Sequence, residues 1–545
     1  MLISLKRIFN LSLLVLLLSS CYKSEKADLV VHNAIIYSVD GQFTIYQAMA
    51  IKDGKIIDLG AEREIMNRYR ATETYDAQKR FVYPGFYDAH SHFLGFARNQ
   101  GEINLFGTKS FDEVVLRIQK FVASSDREWI VGRGWDNNTW ETATFPDRAI
   151  LDSLFPDRPV HLTRVDGHAA LVNGEALRRA QMDDSTQIEG GIVEKDENGE
   201  LTGVLIDRAE EYASDFITPM SIELQAKLIQ QAEKKCFAAG LTTVTDAGLS
   251  VKDIELLDSL QKAGDLMIRI YAMLRQNEEA FEFMSNGPLK TENLHVNSVK
   301  LYADGALGSR GALLKQPYSD DLDNYGLQLI SDSTLRAYAT AAMENGFQVC
   351  THCIGDSANA FVLNAYADIL EGLTDLRWRI EHAQVVSPED LHFYRDFGII
   401  ASVQPVHATS DRAWAGDRLG PDRIGHAYAI KTLKDQLGWI PLGTDFPVEP
   451  ISPISNFYAA VFRKSPNGTD EPPFQIEEAL SREDALRGIT FWPALASFEE
   501  KEKGSLEENK TADFVILDTD LINSPEMRVL NSRVVATFLA GKRVH

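Results

Sequence analysis

The 545-residue sequence has little cysteine: four residues, too few for a dense disulfide framework. It also lacks a surplus of positive charge. Lys and Arg total 55 against 79 Asp and Glu, a formal net charge of −24, so nothing offers the basic footprint that a phosphate backbone requires, and no nucleic-acid partner is expected. A membrane-spanning helix needs ~20 apolar residues, and the greasiest run, Leu11 to Leu18, is far shorter. Disordered, collagen-like and low-complexity classes are excluded by an ordinary globular composition of 44% hydrophobic and 25% charged residues. A length prior of ~150 residues per domain gives three or four units, although an α/β barrel can absorb ~250 alone.

What is present begins with a leader. Lys6-Arg7, the apolar run Leu11 to Leu18 and the small residues Ser19-Ser20 form a signal peptide over residues 1–20. Leu18-Ser19-Ser20-Cys21 resembles the bacterial lipobox, whose cysteine is lipidated after cleavage on its N side. The expected location is the bacterial cell envelope, with a lipid on Cys21 as the membrane anchor and residues 22–27 as a polar tether. The sequence leaves the oligomeric state open.

From Asp28 onward, short apolar runs such as Leu29-Val30-Val31 and Ile35-Ile36-Tyr37, with an Asp53-Gly54 turn, indicate antiparallel hairpins. Asp513 to Leu517 and Val534 to Leu539 repeat that texture at the other end. One small sheet domain assembled from residues 28–80 and 504–545 is therefore expected. Residues 81–503 alternate differently. Strand-like runs occur near 81–89, 241–246, 265–274, 295–302, 347–352, 376–382, 399–404 and 438–443. Helical spacing fills 224–238, 252–262, 333–344, 357–371 and 387–396. Eight strand–helix repeats make a (β/α)8 TIM-type barrel of the α/β class. Residues of about 126–220 break the rhythm and are expected to form an insertion. Its Trp135, Trp140 and Phe145 suggest an apolar or aromatic group on the substrate.

Six ligand-type residues fall at or near the ends of those runs: His90, His92, Lys300, His352, His382 and Asp445. On a strand, residues two apart share a face, so His90 and His92 can reach one cation. A lysine inside an apolar strand is penalised for its charge, and as a neutral amine Lys300 can take up carbon dioxide to form a carbamate able to bridge two cations. Imidazole and carboxylate donors suit zinc, with iron, nickel or manganese as alternatives. Taken singly, each residue has an ordinary role, such as Asp445 capping a helix ahead of Phe446-Pro447. Their joint placement on the face where barrel active sites lie points to one or two divalent metal ions. Cys350 and Cys353 flank His352 as a C-x-x-C pair, but positions three apart on a strand face opposite ways, so neither a disulfide nor a zinc knuckle is expected.

Residues 84–92, 300–310, 352–359, 379–384, 402–411 and 443–450 resemble the amidohydrolase superfamily, specifically its YtcJ-like (amidohydrolase type 3) branch, here in a bacterial lipoprotein form. The matching strings include Val299-Lys300-Leu301-Tyr302-Ala303-Asp304-Gly305-Ala306, His352-Cys353-Ile354-Gly355-Asp356, Arg379-Ile380-Glu381-His382-Ala383-Gln384 and Gly443-Thr444-Asp445-Phe446-Pro447. The insertion matches through Arg164-Val165-Asp166-Gly167-His168. Cys353, Ser357 and Asn509 depart from the family pattern without removing a ligand. The resemblance implies a deformed TIM-type barrel with a small β-sandwich. It also implies that His90, His92 and Asp445 hold one metal, that His352 and His382 hold another, and that carboxylated Lys300 bridges them.

The implied function is metal-dependent hydrolysis of a C–N bond other than a peptide bond, in an amide or formamide-like small molecule. A cation lowers the pKa of bound water from 15.7 toward ~7, which supplies hydroxide at neutral pH. Asp445 is the candidate general base, and His168 or His407 the candidates to polarise the carbonyl. Arg310, Gln404 and Asp411 are candidates to shape the substrate pocket. Two alternatives remain: a mononuclear, deaminase-like amidohydrolase, and a lipid-anchored binding protein without turnover.

Overall fold

A computed structural model describes residues 24–545 apart from 124, 126 and 469–471. The leader over residues 1–20 and Cys21 lie outside the described residues. Among the described residues no helix is long and apolar enough to cross a membrane.

Seven parallel strands form the centre: β1 (Phe86–Ser91), β2 (Leu241–Leu249), β3 (Arg269–Arg275), β4 (Leu294–Tyr302), β5 (Gln348–Cys353), β6 (Arg379–His382) and β7 (Ile400–Ser402). They pair in chain order. The eighth run, over 438–443, is not a regular strand. It makes one parallel bridge, Val403 to Leu442, because Pro441 has no N–H to continue a ladder. Backbone hydrogen bonds nevertheless close the gap, from Gly443 N to Val403 O at 3.0 Å and from Ala89 N to Leu442 O at 3.3 Å. The result is an α/β, TIM-like barrel.

Helices Ile222–Ala238, Val251–Ala263, Asp332–Glu344 and Asp356–Leu370 pack on these strands. Ile229, Leu257, Leu335 and Val362 share one apolar cluster with Val244, Ile270, Val296 and Val349. Ser221, Ser250 and Ser331 start three of the helices by accepting an N–H of the first turn. Cys350 points inward with Ala247 and Met273, whereas Cys353 joins the outer core, and both are free thiols.

The expected run 81–89 is divided at Gly85. Phe81–Pro84 leaves the barrel and pairs with Phe514–Leu517 on one side and Ile35–Tyr37 on the other. Strands Glu25–His32, Ala48–Lys52, Lys55–Gly60 and Tyr69–Asp76 make a separate four-stranded sheet, so residues 25–27, expected in the polar tether, instead pair with Tyr69 to Ala71. Leu29, Ile51 and Ile56 of that sheet meet Val82, Phe514 and Phe538 in one buried apolar cluster. Arg269 at the start of β3 ties the barrel to this region, its Nε lying 2.7 Å from Asp513 Oδ2 with both side chains buried.

A further six-stranded sheet runs from Ile103 to Asp207, beginning ahead of the expected 126. Its first strand, Ile103–Asn104, is only two residues long and is defined by parallel pairing to Gly132 and Arg133 rather than by any local pattern. Trp135, Trp140 and Phe145 belong to the core of this sheet. The Trp135 and Trp140 indoles donate to the carbonyls of Leu162 and Thr108 at 2.7 and 2.9 Å. They fill that core and are absent from the wall of the large cavity, contrary to the expectation that they meet an aromatic substrate group.

Burial works to raise the Asp513 pKa, but Arg269 outweighs it and holds the carboxyl below its usual value. Arg269→Met leaves Asp513 buried and unpaired, and urea unfolding should show a loss of about 3–5 kcal/mol. Because the folded-state pKa is depressed, the stabilisation is present above about 3.9, the unfolded value, and fades as pH falls through the folded one. The gap between wild type and variant should narrow accordingly in acid.

Candidate metal centre

The C-terminal ends of the barrel strands bring the ligand-type residues together. His90, His92 and Asp445 each offer one donor atom, all within 4.8 Å of one another, and His382, His407 and Asp445 do the same. Asp445 is common to both trios. Lys300 in β4 is fully buried, with Nζ 3.3 Å from His90 Nε2. The His352 ring lies 4.6 Å from that of His382. Its Nε2, however, is turned to Gly305 O at 3.4 Å and Asp304 Oδ1 at 3.6 Å. Among the described residues the second trio thus takes His407 where the resemblance implies His352.

An outer layer of acceptors fixes the imidazoles. His90 Nδ1 lies 2.5 Å from Glu381 Oε2, His92 Nδ1 3.0 Å from Ala247 O, and His382 Nδ1 2.8 Å from Gln404 Oε1. With Nδ1–H donated outward in each case, Nε2 carries the lone pair and faces the centre. Asp445 Oδ1 lies 3.2 Å from His92 Nε2, yet it accepts no well-aligned hydrogen bond, and the buried His407 Nε2 has no partner either. Buried polar atoms left open among converging imidazoles are what a divalent cation would satisfy. The donor set therefore fits a metal.

The electrostatics agree with that fit. Burial, followed by the Lys300 charge, lowers the His90 pKa to about 4. Burial also holds His352 and His382 well below the usual imidazole value, so these rings are neutral. Burial likewise lowers the Lys300 amine. Asp445 is driven upward by burial, but the His92 and His90 imidazoles outweigh this and keep it ionised. Glu381 is held down in the same way by Arg379 and His90, the Arg379 Nε lying 2.6 Å from Glu381 Oε1.

A cavity of about 1110 Å³ opens above the centre, and its wall includes Lys300, His352, His382, His407 and Asp445. His168 and Asp411 also line it. Arg310 does not; it pairs with Asp320 at 2.9 Å, away from the cavity wall. Gln404 serves His382 from behind rather than facing a ligand. Several functional residues escaped the sequence reading. Glu381 and Arg379 stand inside a quoted motif, and two opposite charges within an apolar strand were the available signal. Asp304 gathers the N–H groups of Leu313, Ile354 and Gly355 and so shapes the loops beside His352. Asp207, which holds His168, gave no local signal.

Residues 73–545 match the model of the amidohydrolase family. The chain belongs to the amidohydrolase family. Within this family it is 33% identical over 527 residues to the putative amidohydrolase YtcJ of Bacillus subtilis (strain 168), covering 94% of this chain and 98% of that one. It is 25% identical over 542 residues to the N-substituted formamide deformylase of Arthrobacter pascens, covering 95% and 98%. Among solved structures, an uncharacterized metal-dependent hydrolase from Pyrococcus horikoshii OT3 superimposes with a TM-score of 0.74 at 27% identity, covering 92% of this amidohydrolase and 99% of that chain.

If Glu381 fixes the Nδ1 proton of His90, Glu381→Gln should weaken metal binding about 10–100-fold. Competition against a chromophoric chelator measures this, with circular dichroism confirming that the barrel persists.

Proposed function

We propose that this amidohydrolase cleaves the C–N bond of a small amide or formamide-like compound, not a peptide bond, with zinc or another divalent ion. The observation that carries this is the pair of donor trios sharing Asp445 on the floor of a large cavity. The relative named N-substituted formamide deformylase makes N-formyl amines the first class to test. A bound divalent ion supplies Lewis acidity and a water of lowered pKa. Asp445, with an oxygen free of aligned donors, accepts the proton of the attacking water and returns it to the departing nitrogen. His168, on the cavity wall, polarises the carbonyl oxygen, while His407 stands in the second donor trio. Asp411 faces the substrate from the same wall.

Lys300, buried and with its amine favoured in the neutral form, suits carbamate formation and thereby a second ion. The turn of His352 toward Gly305 and Asp304 favours a second reading: one ion in the His90–His92–Asp445 trio and deaminase-like chemistry. The two terminal sheets, joined by one apolar cluster, are read as a small β-sandwich over residues 28–80 and 504–545, with the barrel over 81–503. By its lipobox-like leader, the mature protein is tethered to a membrane of the bacterial cell envelope through lipidated Cys21.

Four measurements test this. A screen of N-formyl and N-acyl amines should find a substrate whose turnover stops on metal chelation and returns with zinc; an inactive, metal-replete protein across both classes refutes the hydrolase. On that substrate, Asp445→Asn should cost about 10²–10⁴-fold in kcat. Lys300→Ala should reduce the metal stoichiometry and recover activity with short carboxylic acids, whereas unchanged stoichiometry and rate remove the carbamate. Cys21→Ala should move the protein from the membrane fraction to the soluble one.

A further inference from the structure

The long sheet that begins at Ile103 sends one imidazole to the barrel mouth. His168 sits in the turn between strands Val160–Arg164 and Ala169–Val172, and its ring lies 5.0 Å from that of His352. Asp207 ends the neighbouring strand Leu201–Asp207. The two residues are linked twice. Asp207 N donates to His168 O at 2.8 Å, and His168 Nδ1 lies 2.7 Å from Asp207 Oδ1. A third tie comes from Asp166, whose Oδ1 accepts the His168 N–H at 3.1 Å while its other oxygen pairs with Arg164.

The setting of Asp207 is unusual for a structural carboxylate. Its side chain is 0% exposed, whereas that of His168 is 16% exposed and lines the cavity. Its backbone takes φ of +52°, a conformation that non-glycine residues adopt at a cost and that clusters at functional sites. Its second oxygen, Oδ2, has no partner. That oxygen fits only because Gly305 and Gly311 lack side chains: a Cβ on either would come within 2.4 and 2.6 Å of it. These two glycines belong to the loop that follows Lys300 and β4. The carboxylate is thus wedged between the added sheet and the barrel, and its one strong contact is an imidazole nitrogen. As an acceptor-only group it fixes the Nδ1 proton; burial lowers the His168 pKa, but Asp207, Asp166 and Asp304 outweigh it and raise it to about 9, so Nε2 also carries a proton that can be donated into the cavity.

We propose that Asp207 is a positioning residue that pins His168 through Nδ1, so that the added sheet presents His168 Nε2 to the carbonyl of the bound substrate. This rests on the hydrolase reading above for its substrate, although the pinning itself does not. The sheet is then part of the catalytic apparatus and not only a cover over the barrel.

The test is a double-mutant cycle on the metal-replete enzyme with the N-formyl amine found active. Asp207→Asn and His168→Gln should each lower kcat by about 10²-fold and change KM little. Metal content and melting temperature should stay near wild type. The double variant should be no slower than His168→Gln alone, because the carboxylate acts only through the imidazole. Full activity of Asp207→Asn, or losses that multiply in the double variant, overturns the proposal. A second measurement needs no turnover: in protein labelled with ¹⁵N at histidine, the Nδ1 proton of His168, assigned with His168→Gln, should be protected from exchange and lose that protection in Asp207→Asn. Absence of that proton from the wild type overturns the pinning even if Asp207→Asn fails to fold. A protein that shows the protected proton but cleaves no C–N substrate refutes the hydrolase and leaves the pinning in place.

Discussion

Everything at this centre depends on the cost of burying charge. Six donors converge at the floor of the cavity with most of their side chains buried, and they can coexist there only if most are uncharged. The neutral state forced on His90, His352 and His382 is also the state in which an imidazole nitrogen can bind a cation. Asp445 is the exception, its carboxyl held well below the usual carboxylate value. The barrel therefore spends its strand ends on a cluster with one firm negative charge and several lone pairs.

That cluster would be loose without its backing. Glu381 faces His90, Gln404 faces His382, and the Ala247 carbonyl faces His92, so each ring is turned by a group outside the cavity. Glu381 is itself balanced by the fully buried Arg379, which also donates to Ala89 O at 2.7 Å and so grips the strand carrying His90. Orientation of the ligands and integrity of the barrel wall are secured by the same side chains.

Much of this was legible in the chain. Short apolar runs between helical stretches marked the strands, and His90, His92, His382 and Asp445 could be placed at one rim because barrel topology turns strand ends into neighbours. The failures have physical causes. Arg310 was picked from a motif, but its long side chain turns outward to Asp320, a choice that only the folded loop reveals. Trp135 and Trp140 resembled cavity residues until their sheet acquired its own core. The eighth strand was read from hydrophobicity, which does not register the missing N–H of Pro441. Asp207 stands 39 residues from the imidazole it contacts, and pairing across a sheet leaves no trace in local pattern.

The route of the chain through the terminal sheet sets an order of assembly. The strand Phe81–Pro84 leads directly into the segment bearing His90 and His92, and its antiparallel partner Phe514–Leu517 comes more than four hundred residues later. Gly85 N, at the bend between the two, is held by Asp513 O at 2.9 Å. Until residues 514–517 have been made, the strand that leads to His90 and His92 has Ile35–Tyr37 on one side and nothing on the other. The sheet edge that supports the cation-gripping rim thus needs residues from both ends of the chain to be complete.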